Sequence, residues 1–180
     1  MKYILLTVVI AAAVILIVGL RRALQTYLKF RGKRLVSCPE TRKPAAVRVA
    51  AGNATLKATV GNEQLSLSEC SRWPEREACG QECLAQIQEA PNACLVSAII
   101  NRWYQGQNCA YCHKPFGEIR WHDHPPALVD YERRTVEWNQ IPAEMLQEAL
   151  GGHWPVCWSC HIAQTFRREH PELVVDRPVH

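Results

Sequence analysis

At 180 residues with nine cysteines and a formal net charge of +4, the chain holds one or two small domains beside any targeting segment. The charge is unevenly divided: residues 1–50 carry ten Lys/Arg against one acid, Glu40, whereas residues 51–180 carry eleven against sixteen. An acidic body lacks the concentrated basic face that grips nucleic acid, so nucleic acid is not an expected partner.

Tyr3 to Leu20 runs 18 residues without a charge or a proline, and Arg21 and Arg22 follow directly. At about 1.5 Å per residue, such a helix just spans a thin hydrocarbon core. A cleaved signal has a shorter apolar run and a small-residue cleavage site, and neither is present. Residues 1–20 therefore read as a single-pass transmembrane anchor. Lys2 lies on its N-terminal side, and Arg21, Arg22, Lys29, Arg31, Lys33 and Arg34 lie on the other. Positive charge stays on the cytoplasmic face, which places the rest of the chain in the cytoplasm. Residues 21–34, "RRALQTYLKFRGKR", read as a basic juxtamembrane stalk, helical until Gly32 breaks it. It suits anionic lipid headgroups, at about 1 kcal/mol per charge. In a reducing compartment, nine cysteines point to metal ligation more than to disulfides.

Residues 35–106 read as a cysteine-rich β-meander plus two helices. "AAVRVA" and "ATLKATV" alternate around a turn at Gly52 and Asn53, and Gly61-Asn62 precedes a third segment, "EQLSLS". Cys38 and Cys70 bracket this meander. Two helices are expected over Cys79–Ala90 and Pro91–Gly106, with Pro91 opening the second and Gly106 ending it. Cys94, on the second, reads as a small buried apolar residue. Cys38, Cys70, Cys79 and Cys83 have the spacing C-x31-C-x8-C-x3-C. Cys79 and Cys83, four apart, would share a helix face, and a hairpin would join Cys38 to Cys70. The alternatives are a second four-thiolate site, for zinc or an iron–sulfur cluster, and four separate structural thiols.

Residues 107–180 carry the strongest motif. "CAYCH" (Cys109–His113) and "VCWSCH" (Val156–His161) each hold a C-x-x-C, with 44 residues between the inner cysteines. Two such knuckles complete a tetrahedral S4 set with no open position, which structural zinc prefers. "GEIRWHDH" and "RTVEW" are strand candidates, "PAEMLQEALGG" a helix, and "CHIAQTFRREH" a final helix closed by Pro171. The first knuckle leads into an extended segment and the second opens a helix, the order of a treble clef. The overall expectation is an α+β chain: a transmembrane helix, a small cysteine-rich β/α segment and a treble-clef zinc-knuckle domain.

Over residues 108–170, "CAYCHKPF…WHDHPP…WNQ…VCWSCHIAQTF" resembles the zinc-bearing HNH endonucleases. The resemblance implies Asp123 and His124 as the acidic-His pair, with His124 as general base. It also implies His161 and Asp123 as ligands of a catalytic divalent ion, with Asn139 as the central Asn. Read literally, the same C-x-x-C-H motifs would attach two c-type haems with His113 and His161 as axial ligands. Haem attachment takes place outside the cytoplasm, opposite to the side the flanking charges indicate. Three functions are thus in view. The leading one is a membrane-anchored zinc-binding interaction or scaffold module with a protein partner. The others are a dihaem electron carrier and a metal-dependent nuclease. Trp73, Trp121 and Trp154 are the aromatics available to a partner.

Overall fold

The computed structural model describes residues 2–52, 65–75 and 78–174. The predicted strand "ATLKATV" and the turn at Gly61-Asn62 lie outside these residues. The chain divides into two compact units, Met1–Val96 and Ser97–His180. Both mix short helices with a small antiparallel sheet, so the α+β character holds in each.

The first unit opens with α1 (Lys2–Phe30), 29 residues without a break at Arg21 and Arg22. Within Leu6–Phe30 an 18-residue window has a mean hydropathy of 2.2 and no buried residue, so the helix is long and apolar enough to cross a bilayer. Helix α1 ends two residues before Gly32, whose φ of +99° is open to glycine and strained for other residues. A Cβ there would also meet Leu95 Cδ1 at 3.0 Å. The chain then enters β1 (Lys33–Ser37), so the last two residues of the expected stalk belong to a sheet.

Strands β1, β2 (Pro44–Val49) and β3 (Leu67–Cys70) pair antiparallel in that order. Lys33 faces Arg48 and Ser37 faces Pro44 across the first pair; Val47 faces Cys70 across the second, with a bulge at Arg48/Val49. Alternation in β2 buries Ala45, Val47 and Val49, which pack with Phe30, Val36, Leu67 and Ile87 in one core. Ile87 comes from α2 (Leu84–Glu89). The Gln86 amide beside it acts as a stretch of strand: it accepts from Ser37 N at 3.1 Å and donates to Ser37 O at 2.7 Å.

The expected helix over Cys79–Ala90 is shorter than its pattern. Gln81 has φ +58°, which a right-handed helix does not admit, and the helix begins only at Leu84. Cys79 and Cys83 therefore do not share a helix face.

In the second unit, α3 (Val96–Tyr104) buries Ile100 and Tyr104 and ends before Gly106, at φ +75°. The sheet order is β5-β4-β6, from β4 (Ala127–Val129), β5 (Thr135–Val136) and β6 (Trp154–Val156). Tyr104 Oη donates to Ala127 O at 2.8 Å and accepts from Trp138 Nε1 at 3.0 Å, pinning α3 to the central strand. The predicted strand "GEIRWHDH" is instead turn: the amides of Asp123 and His124 both donate to Arg120 O. "PAEMLQEALGG" is helical as expected, a short 3-10 turn leading into α4 (Leu146–Gly152). Helix α5 (Trp158–Glu169) is followed by Pro171.

Candidate metal centre

Cys109 begins a tight turn in which its N–H donates to Lys114 O at 2.9 Å, while His113 N–H donates back to Cys109 O at 2.9 Å. His113 closes the turn at φ +57°. The reversal folds Cys112 over Cys109. The second pair lies where β6 becomes α5: Cys157 is the N-cap, in extended conformation, and Cys160 falls in the first turn. The two halves are stitched by Ala110 N–H to Pro155 O at 2.9 Å and by Cys157 N–H to Cys109 Sγ at 3.3 Å.

The four sulfurs of Cys109, Cys112, Cys157 and Cys160 all lie within 4.8 Å of one another. A tetrahedral ion with Zn–S bonds of about 2.3 Å sets its sulfurs about 3.8 Å apart, and Cys112 Sγ and Cys157 Sγ are 3.8 Å apart. Val129, Val156 and Cys109 form the buried floor, against which Tyr111, Phe116, Cys157 and Cys160 pack.

The electrostatics are those of a set that wants a cation. Burial raises the Cys109 thiol, but the backbone N–H groups of Cys112, Cys157 and Tyr111 outweigh it and bring the thiol down to about 7. One thiolate forms readily, while burial first and the neighbouring sulfurs second push the Cys157 and Cys160 thiols up, a penalty a divalent ion removes.

The remaining candidates disperse around this centre. His113 is exposed on its turn, whereas His161 is 5% exposed, so the two C-x-x-C-H copies are not equivalent. His161 Nε2 lies 3.4 Å from Glu137 Oε1, and His161 Nδ1 has no partner among the described residues. Asn139 Nδ2 donates to Glu137 Oε2 at 3.0 Å, so Glu137 joins two residues that the resemblance singles out. No sequence motif marks Glu137; it precedes the 3-10 turn Trp138–Gln140, and its N–H donates to Gln140 Oε1 at 3.2 Å. His124 is exposed, with its ring centroid 6.2 Å from that of Trp158. Among the described residues Asp123, His124 and His161 do not close into a ligand set.

Cys38, Cys70, Cys79 and Cys83 line a common cavity in the first unit. Burial raises Cys83 to about 11, with the charges of Cys70, Cys79 and Cys38 adding to it. The side chain and amide of Thr41 hold Cys38 below the usual thiol range. Cys94 is half-buried, its Sγ 3.4 Å from Ala90 O. Of the aromatics, Trp154 is exposed and stacks edge-on with exposed Tyr131 at 4.8 Å; Trp73 and Trp121 are half-buried. No family model, curated protein or solved structure matches the chain.

Proposed function

We propose that the chain is a single-pass membrane protein whose cytoplasmic body contains a zinc-held treble-clef module that serves protein interaction. The observation that carries this reading is the convergence of four sulfurs from two distant knuckles on one point, at a spacing that suits a tetrathiolate ion. Four protein ligands leave no position for water or substrate, so the ion's work is structural. Knuckle, short hairpin and ligand-bearing helix follow in treble-clef order. The cytoplasmic side follows from the basic flank of α1, where Arg21, Arg22, Lys29, Arg31 and Lys33 are exposed to meet anionic headgroups. The exposed Tyr131–Trp154 pair, beside the knuckle, is the surface that suits a protein partner.

A dihaem arrangement would need each cysteine pair to reach its own macrocycle, and sulfurs within 4.8 Å of one another suit a single shared ion instead. A nuclease on the same framework draws support from buried His161, whose Nδ1 has no partner among the described residues, and from its link to Glu137 and Asn139.

The test is made on full chain purified in detergent from cells grown with zinc. Zinc retained through purification, lost in Cys109→Ser and Cys160→Ser, with no Soret absorbance, is the expected result. Porphyrin absorbance that survives denaturation would sink the zinc reading. Mn²⁺-dependent DNA cleavage abolished by His124→Ala would replace the interaction role with catalysis.

A further inference from the structure

We propose that Cys38, Cys70, Cys79 and Cys83 form a second four-thiolate site, which binds one zinc-class divalent ion and staples the first unit. The cavity that these four side chains line measures about 20 Å³. That is room for one water-sized particle, not for a multi-iron cluster. Pro39, Ala45 and Trp73 add apolar wall, and Glu40, Arg72 and Glu82 also line the cavity, so the four thiols are the largest set of one donor type in it.

The backbone around Cys38 repeats that around Cys109. Cys38 N–H donates to Lys43 O at 2.9 Å and Arg42 N–H donates to Cys38 O at 2.8 Å, with Arg42 at φ +55°. At Cys109 the equivalent bonds are both 2.9 Å and the equivalent φ is +57°. The two turns superpose position for position in their hydrogen bonding, but Thr41 stands where Cys112 stands in the other. A knuckle that lacks its second cysteine needs ligands from elsewhere, and the sheet delivers one. Strand β2, which leaves the turn, pairs with β3 so that Val47 faces Cys70 at the strand's end.

Cys70 and Cys79 are also held in place by the backbone. Each accepts the backbone N–H two residues on, Arg72 N to Cys70 Sγ at 3.5 Å and Gln81 N to Cys79 Sγ at 3.4 Å. The left-handed residue Gln81 turns the chain between Cys79 and Cys83, and its side chain accepts from Leu67 N at 2.9 Å, fixing that turn to β3. Cys83 is 6% exposed and closes the cavity from the core side. No three of these sulfurs come within 4.8 Å of one another, unlike those of the first centre, so an ion would have to draw them inward. The first unit's core consists largely of small side chains, and a core of that size gains from a metal staple.

The experiment measures metal per chain on detergent-purified full-length protein, by elemental analysis and by cobalt titration after stripping. Two zinc ions per chain are expected, falling to one in Cys79→Ser and in Cys83→Ser and staying at two in Cys94→Ser. Cobalt should saturate the thiolate-to-metal absorption of the unaltered chain at two equivalents, a reading that does not depend on any variant folding. Saturation at one equivalent that Cys160→Ser abolishes overturns the second site and leaves the first standing. Iron with acid-labile sulfide, lost in Cys83→Ser, overturns the single-ion assignment.

Discussion

Arg34 shows how much a single residue's setting changes its meaning. In the sequence it is the last of six basic residues behind an apolar helix, yet its side chain is fully buried. Nη1 donates to Phe30 O, Arg31 O and Gly32 O, Nη2 to Lys29 O at 2.6 Å, and Nε to Pro91 O at 3.3 Å. Of these, Lys29 O and Phe30 O are orphan carbonyls at the end of α1, where the helix dipole also favours a cation. Burial lowers its pKa from the usual guanidinium value, a cost the five acceptors offset. Arg34→Met should therefore destabilise the first unit by about 3 kcal/mol or more, because it strands those carbonyls. Arg34→Lys, with fewer donors, should recover part of the loss; unfolding midpoints in micelles read both.

Asp130 makes a smaller, pH-dependent case. Burial opposes its ionisation, but the backbone N–H of Arg134 at 2.8 Å and its guanidinium at 3.2 Å prevail and hold the carboxyl below its usual value. A depressed pKa contributes stability above the unfolded value, near 4, and loses it as pH falls through the folded value. Asp130→Asn should cost about 0.5–1 kcal/mol at pH 7, a cost that shrinks as pH falls through the carboxyl's lowered folded-state value.

Helix α5 is the element whose formation and function coincide, and substitution separates them. Cys157 occupies its N-cap, a position at which serine is among the preferred residues. Cys157→Ser should leave the helix intact by far-UV circular dichroism while removing one sulfur of four. A structural zinc site contributes about 10–16 kcal/mol, so loss of a quarter of it weakens binding by roughly a hundredfold or more. Equal metal affinity in this variant would show that Cys157 is not a ligand.

The long periodic elements could be read from the sequence: α1 from its unbroken apolar run, α5 and α4 from their periodicity and terminal Gly or Pro. In the second unit β5 lies inside the candidate "RTVEW", but β4 and β6 could not be read. Ala127–Val129 is too short to alternate and is buried throughout, and β6 contains Pro155, which argues against a strand. Pro155 is tolerated because β6 lies at the sheet's edge. In the first unit, Gln81's left-handed backbone broke a helix that side-chain periodicity alone had extended back to Cys79.

For the molecule as a whole, local spacing revealed the four-cysteine centre, because each half is encoded within four residues and the pairing follows from sulfur's chemistry. Glu137 was not legible, because its approach to His161 depends on how a 3-10 turn packs beside α5. The same limit bears on topology. Arg34 is withdrawn from the basic flank, leaving Arg21, Arg22, Lys29, Arg31 and Lys33 exposed against Lys2 on the other side. The bias keeps its sign, so the C-terminal side should remain cytoplasmic. A reporter active only outside the cytoplasm, fused after His180, should be silent on the natural sequence. Arg21→Gln and Arg22→Gln, combined with three lysines inserted before Tyr3, should activate it in a measurable fraction of chains, since lysine and arginine nearest the span weigh most. Activity on the unaltered chain would put both cysteine sets in an oxidising compartment. Disulfide pairing and haem attachment would then compete for the same sulfurs, and the zinc assignment would lose its chemical premise.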